Sequence, residues 1–473
     1  MTDFTFYDNE ATGLSVRHDQ ITQFGGITCG PDMKVKEKIS IFIKLLPYVV
    51  PHPDALRVTR KTADELSNPK LPSEFDSVRN ISNFLSTNRD ESRVFVTFNG
   101  LKYDDELLRT ALYRNLREPF FNSGKNHIKI DLLSVLRMVH GLTPDVLNIT
   151  YKDDGKPSYR LEDVCPANGI EIHAHDALND SIATRDLFVL IKEKAPWAID
   201  IAMRSGSTRQ VLDIVELSMS ENKPIYNFTS FGTPLLTPLV IIAKDKGKKF
   251  IGIDVNSDVE EAKSKDIADQ LFSANTPFEL ITANKSPLLM TAQEVLNVTS
   301  RELDKNLQAK VDNINSDSTL KRLADQAFKN NTYQKVNNPT SEEDIYGGFY
   351  ASSDKRQMDR FHTSKAWEEK TKILFSDRRL KDFSARIILE AVSQSDCFLP
   401  ADVINQLGQD CAEAVTRPFH VSNDRYNTIS QCIADGADED WVEWAKNKYG
   451  DHPSFDKKIA PEQPAVAQFS FTF

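Results

Sequence analysis

The sequence contains few cysteines, and it lacks the cysteine spacings that bind metal ions. Its five cysteines are odd in number, and no two of them form a Cys-x-x-Cys pair. This usage is typical of free thiols in a reducing compartment rather than of disulfides or zinc ligands. The chain also lacks an apolar run of about 18 residues and a basic, apolar signal segment at its acidic N-terminus. We therefore expect a cytoplasmic protein that makes no contact with a membrane.

An excess of positive charge is absent as well. The net charge is -11 at pH 7, which argues against a broad nucleic-acid-binding face but leaves room for a local basic groove. Hydrophobic residues make up 40% of the chain and charged residues 27%, so wholesale disorder is not expected. The length of 473 residues predicts roughly three domains of about 150 residues each.

The N-terminal stretch Asp3–Gly13 carries the first candidate functional residues. The residues that alternate along it are Phe4, Phe6, Asp8 and Glu10. In an extended strand such residues share one face, so the two carboxylates lie side by side. When two carboxylates lie so close together, the pKa of one of them rises and the fold is destabilised, unless a cation lies between them. The pattern favours a metal site, although an isolated Asp-x-Glu is more often a polar strand end.

Two more carboxylates and a histidine follow at the starts of predicted helices. Asp104 lies where a predicted strand at 93–98 meets a helix, and catalytic residues of open α/β sheets gather at such junctions. His175 falls in the lead-in, and Asp180 in the first turns, of a later helix. Each has a structural alternative. Asp104 would be a helix N-cap, His175 a loop residue bonded to backbone, and Asp180 an acid placed near a helix N-terminus.

Hydrophobic periodicity predicts the remaining elements. Alternating, β-branched stretches predict strands at 20–27, 39–43, 239–243 and 250–254. Helical spacing predicts helices at 62–67, 74–86, 364–375, 378–392, 401–415 and 426–434. The segment 330–343, rich in Asn, Thr and Ser, is typical of a linker.

The five candidate residues occur in the order and spacing of a known set of motifs. Asp8-x-Glu10, Asn99-x-x-x-Tyr103-Asp104 and His175-x4-Asp180 resemble the three motifs of the DEDDh 3'→5' exonucleases. Longer stretches resemble the bacterial exonuclease I family, namely residues 103–106, 158–162, 167–170 and 344–349. One position departs from the family pattern Asp-x-Glu-Thr-Thr-Gly, because Ala11 replaces the first threonine. That position supplies no metal ligand, so we expect the chemistry to survive.

The resemblance implies an α/β fold with three domains and a tail. Residues 1–196 would form a ribonuclease H-like exonuclease domain with a mixed sheet. Residues 197–343 would form an SH3-like β-barrel domain with helical insertions, and residues 344–450 an all-α C-terminal domain. The tail 451–473 is expected to be disordered, and its closing Phe469-Ser470-Phe471-Thr472-Phe473 is either a docking peptide or unstructured.

The resemblance also implies phosphodiester hydrolysis with two Mg²⁺ ions, for which Mn²⁺ is a possible substitute. Two such ions about 3.5 to 4 Å apart stabilise the attacking and leaving oxygens together. The implied metal ligands are Asp8, Glu10, Asp104 and Asp180, which suits the preference of Mg²⁺ for oxygen. The implied general base is His175, since an imidazole with an ordinary pKa of about 6.5 can take a proton from water.

The implied substrate is the 3' end of single-stranded DNA, from which 5'-mononucleotides are released. The implied substrate contacts are Glu10, Arg109, Phe120, Arg137 and Arg160. Guanidinium groups pair with phosphates and aromatic rings stack on unpaired bases, but structural ion pairs and a core position are the alternatives. The family further implies DNA repair and recombination, with a single-stranded-DNA-binding protein as partner. We expect the enzyme to be a monomer.

Other interpretations of the same residues stay open. An RNA-trimming exonuclease or a proofreading subunit uses the same five residues, although more than half of this chain follows the catalytic domain. A non-catalytic single-strand-binding module on this scaffold is a different class, against which the intact set of five residues argues.

The C-terminal third carries basic clusters at Lys355-Arg356, Arg378-Arg379 and Lys381. We expect them to form the second wall of a channel for one strand. Residues 344–473 would then be removable without loss of chemistry on short oligonucleotides. The alternative is that this region supports the fold.

Overall fold

A five-stranded mixed sheet forms the N-terminal part of the protein. The computed structural model describes residues 2–86, 91–172, 176–229, 235–271, 273, 276–299, 304–330, 336–395, 397–421 and 423–450. The strands of this sheet are β1 (Asp3–Ala11), β2 (Ile21–Cys29), β3 (Val35–Phe42), β4 (Arg93–Thr97) and β5 (His127–Asp131). Their order is β3-β2-β1-β4-β5. The first three strands form an antiparallel meander, while β4 and β5 run parallel to β1. The predicted meander and the mixed α/β fold are confirmed.

Helices cover both faces of this sheet. They are α1 (Pro53–Thr59), α2 (Ala63–Leu66), α3 (Glu74–Leu85), α4 (Asp104–Arg114), α5 (Leu132–Leu142), α6 (Leu161–Ala167), α7 (Ala177–Lys194), α8 (Pro196–Gly206) and α9 (Thr208–Ser220). A two-stranded ribbon, β6 (Thr150–Tyr151) and β7 (Pro157–Ser158), precedes α6. Phe6 of β1 packs against Phe188 of α7, whereas Tyr7 shares a core with Leu107 of α4 on the opposite face. The alternation of β1 therefore separates two cores.

A second, antiparallel sheet follows. Its strands are β8 (Ile225–Thr229), β9 (Leu235–Lys244), β10 (Lys249–Asp254), β11 (Phe278–Thr282) and β12 (Leu288–Thr291). Their order is β11-β10-β9-β8-β12, and the strands predicted at 239–243 and 250–254 lie within β9 and β10. The helices of this part are α10 (Val259–Lys263), α11 (Ile267–Gln270), α12 (Ala292–Thr299), α13 (Leu307–Ser316) and α14 (Ser318–Asn330).

The described residues from 344 to 450 are helical wherever they are regular. The helices are α15 (Ser352–Thr363), α16 (Trp367–Lys370), α17 (Arg378–Ser393), α18 (Ala401–Asp410), α19 (Ala412–Thr416), α20 (Ile429–Ala434) and α21 (Glu439–Tyr449). The helix predicted at 364–375 is wrong in length, because only α16 forms there. Lys370, the last residue of α16, is buried and donates hydrogen bonds to the carbonyls of Phe361 and Ser364 at the C-terminal end of α15. None of the helices in the described part of the chain is long and apolar enough to cross a membrane.

The C-terminal helices share two hydrophobic cores with the N-terminal part. One core joins Phe75 of α3 to Phe361 and Phe383 of α15 and α17. The other joins the segment after β3, which includes Leu45, to Trp441 of α21 and its neighbours. The shared cores favour a fold-supporting role for residues 344–450 and argue against their removal without loss of structure.

The described part of the predicted linker at 330–343, from which residues 331–335 are missing, contains a buried glutamate. The side chain of Glu342 has no exposed surface, and its oxygens accept hydrogen bonds from Arg386 at 2.5 Å and Arg417 at 2.8 Å. Arg386 also binds Asp382, and Arg417 also binds Glu413. These charges hold the pKa of the Glu342 carboxyl well below its usual range despite its burial. The segment is an anchor of the C-terminal helices at this point.

Replacing Glu342 by Ala should lower the free energy of unfolding by about 3 kcal/mol, because two buried guanidinium groups lose their shared partner. Replacing Glu413, whose side chain is 50% exposed and pairs with the same Arg417, should cost about 1 kcal/mol or less. Urea denaturation of both variants measures the difference. Equal losses in the two variants would contradict the anchoring role of Glu342.

Candidate active site

Strand β1 brings Asp8 and Glu10 to the sheet edge on one face. Both carboxylates follow Phe4 and Phe6 on that face, and the two phenylalanines are fixed in the core beneath helix α7. The core packing sets the orientation of the strand, so the two acids cannot turn to the other side. The side-by-side arrangement predicted from the sequence is confirmed.

Helix α7 brings Asp180 to the same face, and Gly25 allows its approach. Gly25 lies opposite Asp8 in the β1–β2 register, and a Cβ there would lie 2.1 Å from the backbone of Ala177. No side chain could occupy that space, so only glycine lets the first turn of α7 lie this close to the sheet. The helix is held in place by Gln23, whose amide donates to the Asp176 carboxylate at 2.8 Å.

Asp104 reaches the site from the opposite face of the sheet. It is the first residue of α4, and the N-cap position is occupied by Tyr103 without a side-chain cap bond. The N-cap alternative for Asp104 is therefore wrong. Its carboxylate instead accepts a hydrogen bond at 3.2 Å from the Asn9 side chain. Asn9 lies between Asp8 and Glu10 in the sequence, but its side chain is on the α4 face of the sheet. Its hydrogen bond to Asp104 connects the second motif to the first.

The carboxylates strongly disfavour one another's ionisation. Burial, followed by the charges of Asp104, Glu10 and Asp180, raises the pKa of Asp8 well above its usual range. Burial, followed by the charges of Asp180, Asp104 and Asp176, raises the pKa of Glu10 to about 7. Burial also raises the pKa of Asp104 to about 7, although the hydrogen bond from Asn9 acts in the other direction.

This donor set fits a hard divalent cation. One oxygen from each of Asp8, Glu10 and Asp180 lies within 4.8 Å of the other two. Oxygen-only ligands of this kind suit Mg²⁺, Mn²⁺ or Ca²⁺, and a bound cation would remove the repulsion that raises the pKa values. Asp104 lies beside this group of three. His175, the fifth predicted residue, lies outside the described residues.

Two of the predicted substrate contacts are close together next to α4. The Arg109 guanidinium lies 5.9 Å from the ring centre of Phe120, and Phe120 in turn lies 5.9 Å from Tyr346. Arg109 is mostly buried and donates to Glu106 at 2.6 Å and to Asn122 at 2.9 Å. These bonds are those of a structural ion pair, which was the alternative for Arg109. They are also compatible with a position at the edge of a groove.

The other two predicted contacts form a second group. The Arg137 guanidinium lies 5.2 Å from the ring centre of Tyr159, and the neighbouring Arg160 is exposed and paired with Glu162. The basic clusters of the C-terminal third are only partly available. Arg379 is buried and bonded to Asp377 at 2.7 Å, so it cannot be a free phosphate contact, whereas Lys355, Arg356 and Lys381 are exposed.

A cleft with an excess of cationic side chains, the basic cleft, lies next to α4. It has a volume of about 380 Å³ and lies between α4, β5 and the turn before β12. Its cationic lining residues are Lys102, Arg109, Lys129 and Lys285, and its acidic lining residues are Asp105, Glu106 and Asp131. These residues come from distant parts of a chain with net negative charge, and no local sequence signal joins them.

Comparisons with known proteins agree with the geometry. No protein-family model matches the chain. Exodeoxyribonuclease I of Haemophilus influenzae is 29% identical over 394 residues, which cover 75% of this chain and 79% of the relative. Exodeoxyribonuclease I of Escherichia coli is 26% identical over 377 residues, which cover 75% and 78%. The chain resembles exodeoxyribonuclease I. The family resemblance inferred from the motifs is thereby confirmed.

Solved structures of exonuclease I share the fold. The E. coli enzyme in complex with a dT13 oligonucleotide has a TM-score of 0.75 at 20% identity and covers 96% of this chain and 97% of its own. A moderately thermophilic exonuclease I from Methylocaldum szegediense has a TM-score of 0.78 at 21% identity, covering 95% and 98%. A complex of exonuclease I with SSB-Ct has a TM-score of 0.72 at 20% identity, covering 96% of both chains.

Replacing Asp8 by Asn should make the cation-free protein more stable near neutral pH. Carboxyl pKa values raised to about 7 at Glu10 and Asp104 mean that the folded protein binds more protons than the unfolded chain between about pH 4 and 7. The stability of the wild type therefore falls as pH rises through this window, and removing one charge weakens the fall.

Melting curves in EDTA test this expectation. At pH 7.5 the Asp8→Asn variant should melt about 2 °C or more above the wild type, and the gap should narrow at pH 4.5. Asp213→Asn on the exposed face of α9 serves as the control and should show no such pH-dependent gap. A variant that melts lower than the wild type at both pH values would show that repulsion between the carboxylates does not control the stability of the cation-free protein.

Proposed function

We propose that this protein is a Mg²⁺-dependent 3'→5' exodeoxyribonuclease that removes 5'-mononucleotides from single-stranded DNA. The observation that carries the proposal is the convergence of Asp8, Glu10 and Asp180 in a chain that resembles exodeoxyribonuclease I over three-quarters of its length. The group is half-buried, and the pKa values of its Asp8 and Glu10 carboxyls are raised. Such a group destabilises the fold, so it points to a functional role.

The chain's own residues divide the chemistry between them. Asp8, Glu10, Asp104 and Asp180 would hold the cations, and His175 would take the proton of the attacking water. When bound, two Mg²⁺ ions supply charge stabilisation to the attacking and leaving oxygens. Asn9 keeps the Asp104 carboxylate in place through its side-chain amide, so the two halves of the site keep a fixed separation.

The rest of the strand would follow the basic cleft lined by Lys102, Arg109, Lys129 and Lys285. Guanidinium and ammonium groups neutralise phosphates, and Phe120 at 5.9 Å from Arg109 offers a ring for base stacking. Arg160 would contact the phosphate of the terminal nucleotide, where Glu10 would also contact substrate, and Arg137 would contact the single strand. Stacking of a base on Phe120 requires an unpaired strand, since the bases of a duplex already stack on one another.

We further propose the family's architecture and partners for this chain. Residues 1–196 would be the exonuclease domain, the sheet β8–β12 the core of an SH3-like barrel within 197–343, and 344–450 an all-α domain. The protein would act as a monomer in the cytoplasm, in DNA repair and recombination. A complex of exonuclease I with SSB-Ct supports a single-stranded-DNA-binding protein as partner.

Replacing Asp8 or Asp180 by Ala should lower hydrolysis by more than a thousandfold while the protein stays folded, since a metal ligand is lost and repulsion is relieved. The assay uses single-stranded DNA labelled at its 5' end, incubated with Mg²⁺ or with EDTA. The wild type should give a ladder of progressively shorter labelled products with Mg²⁺ alone. Activity of Asp8→Ala within about tenfold of the wild type would refute the assignment.

Matched duplex and RNA substrates separate the other activities. Equal or faster cleavage of RNA would favour an RNA-trimming enzyme, and preference for a mispaired duplex end would favour proofreading. Tight binding of single-stranded DNA without any Mg²⁺-dependent cleavage would identify a non-catalytic binding module.

Replacing His175 by Ala should lower turnover by about 10² to 10⁴, the range expected for a general base. DNA affinity should change little, and the acidic limb of the pH–rate profile should disappear. Titration of a labelled oligonucleotide and a pH–rate profile measure the two quantities. Weak binding with normal turnover would instead make His175 a substrate contact.

A further inference from the structure

A second cavity is lined by Glu10, and the loop before α20 closes one side of it. Its volume is about 610 Å³, within the range of sites that enclose a small molecule. The side nearest the acids is formed by Glu10, Ala11 and Tyr103. The far side is formed by the loop 423–427 before α20. The candidate catalytic centre therefore borders this cavity through Glu10.

The two spaces differ in charge. Four Lys and Arg side chains and three carboxylates line the basic cleft. Three carboxylates, those of Glu10, Asp54 and Asp424, line the second cavity. Among the described residues that line it, Arg425 is the one Lys or Arg, and it is already paired with Glu343 at 2.8 Å. The second cavity instead has exposed apolar groups, Leu14 at 90% and Val58 at 56% exposure. It suits a base and sugar better than a chain of phosphates.

An enzyme that removes one nucleotide at a time has only one nucleoside beyond the scissile phosphate. On the proposed function, the basic cleft would take the strand and the second cavity would take the 3'-terminal nucleoside. The shape of that cavity depends on the loop 11–15, which follows the acids of β1. The position of this loop therefore affects how the terminal nucleoside is held.

Asp19 holds this loop. It is 3% exposed, and its carboxylate accepts hydrogen bonds from the Thr12 hydroxyl and the Ser15 amide, both at 2.8 Å. Asn427 from the C-terminal part donates to the same carboxylate at 3.0 Å and to the Val50 carbonyl at 3.3 Å. The loop after the catalytic acids and the loop before α20 thus meet on one buried carboxylate.

Two further observations show how closely the parts fit. The Ser15 hydroxyl donates to the Arg425 carbonyl at 2.8 Å. A Cβ at Gly13 would lie 2.6 Å from the Asp19 carboxylate and 2.8 Å from the Asn427 amide. Gly13 is needed here for close approach, because any side chain would separate Asp19 from Asn427.

We infer that Asn427 is a positioning residue for the terminal-nucleoside cavity. Acting through Asp19, it fixes the loop 11–15 against the C-terminal loop 423–427, so the C-terminal helices determine how firmly the 3'-terminal nucleoside is held. This inference rests on the proposed function. It assigns to the C-terminal part a role at the reaction centre besides its support of the fold.

The test compares two labelled single-stranded oligonucleotides of the same sequence, one ending in an intact 3' nucleoside and one in a reduced abasic residue. The wild type should prefer the intact end. Asn427→Ala should narrow this preference about fivefold, the order of effect expected from losing the hydrogen bond to Asp19. The longer bond to the Val50 carbonyl is lost with it. The change should come from a higher KM on the intact end, with kcat little affected.

The matched control is Ser67→Ala. Ser67 accepts a hydrogen bond at 3.0 Å from the Trp444 indole, so this variant also loses one bond between the N-terminal part and the C-terminal helices, away from the cavity. It should keep the wild-type preference. If Asn427→Ala does not fold, Ser15→Ala removes the second bond between the same loops and should narrow the preference likewise.

The outcomes separate the inference from the proposed function. An unchanged preference in a folded Asn427→Ala variant, or an equal change in Ser67→Ala, would overturn the positioning role. A wild type that removes both ends equally well would overturn the nucleoside assignment of the cavity while leaving the exonuclease intact. A wild type that shortens neither substrate would overturn the proposed function together with the inference.

Discussion

The structure depends on holding several carboxylates together against their own repulsion. Asp8, Glu10 and Asp180 have oxygens within 4.8 Å of each other, and Asp104 adds its charge from the other face. Such a group cannot form unless separate elements are fixed by packing that is independent of the acids. The phenylalanines of β1 supply one such constraint, and the glycine contact beneath α7 supplies another.

The C-terminal helices belong to this framework. They complete two hydrophobic cores with the N-terminal part, and the Trp441 indole donates to the Pro51 carbonyl at 3.0 Å. A catalytic domain with detachable additions is therefore a poor description of the molecule. Glu342, in a segment typical of a linker, is bonded to two buried arginines, which shows that composition alone cannot distinguish a linker from an anchor.

The arginines show that the sequence alone also cannot tell which cations are available to bind substrate phosphates. Arg379 belongs to a basic cluster in the sequence, yet its guanidinium is bonded to Asp377 and to the carbonyl of Asp344. Arg109 divides its donors between Glu106 and Asn122 while it lines the basic cleft. Whether a cation is available to a phosphate depends on which acids fold next to it, and those partners are distant in sequence or on another face of a helix.

Local pattern alone determined several features of this protein. The alternation in β1 predicted that Asp8 and Glu10 share a face, and the strand-to-helix junction predicted the position of Asp104, because both follow from backbone geometry over a few residues. Family motifs added Asp180, which the structure places beside Asp8 and Glu10, and His175, which stays a prediction. Helix α15 could not be located from hydrophobic periodicity, since its sequence is mostly polar and has too few apolar residues to mark one face.

Only the tertiary structure decided how these pieces meet. It placed Asp104 across the sheet from Asp8, with Asn9 between them, and it brought Lys129 and Lys285 to one cleft. It also joined Asp19 to Asn427 across 408 positions of the chain. Such contacts depend on how helices and sheets pack over long sequence separations, and the short-range periodicities that a sequence displays carry no record of that packing.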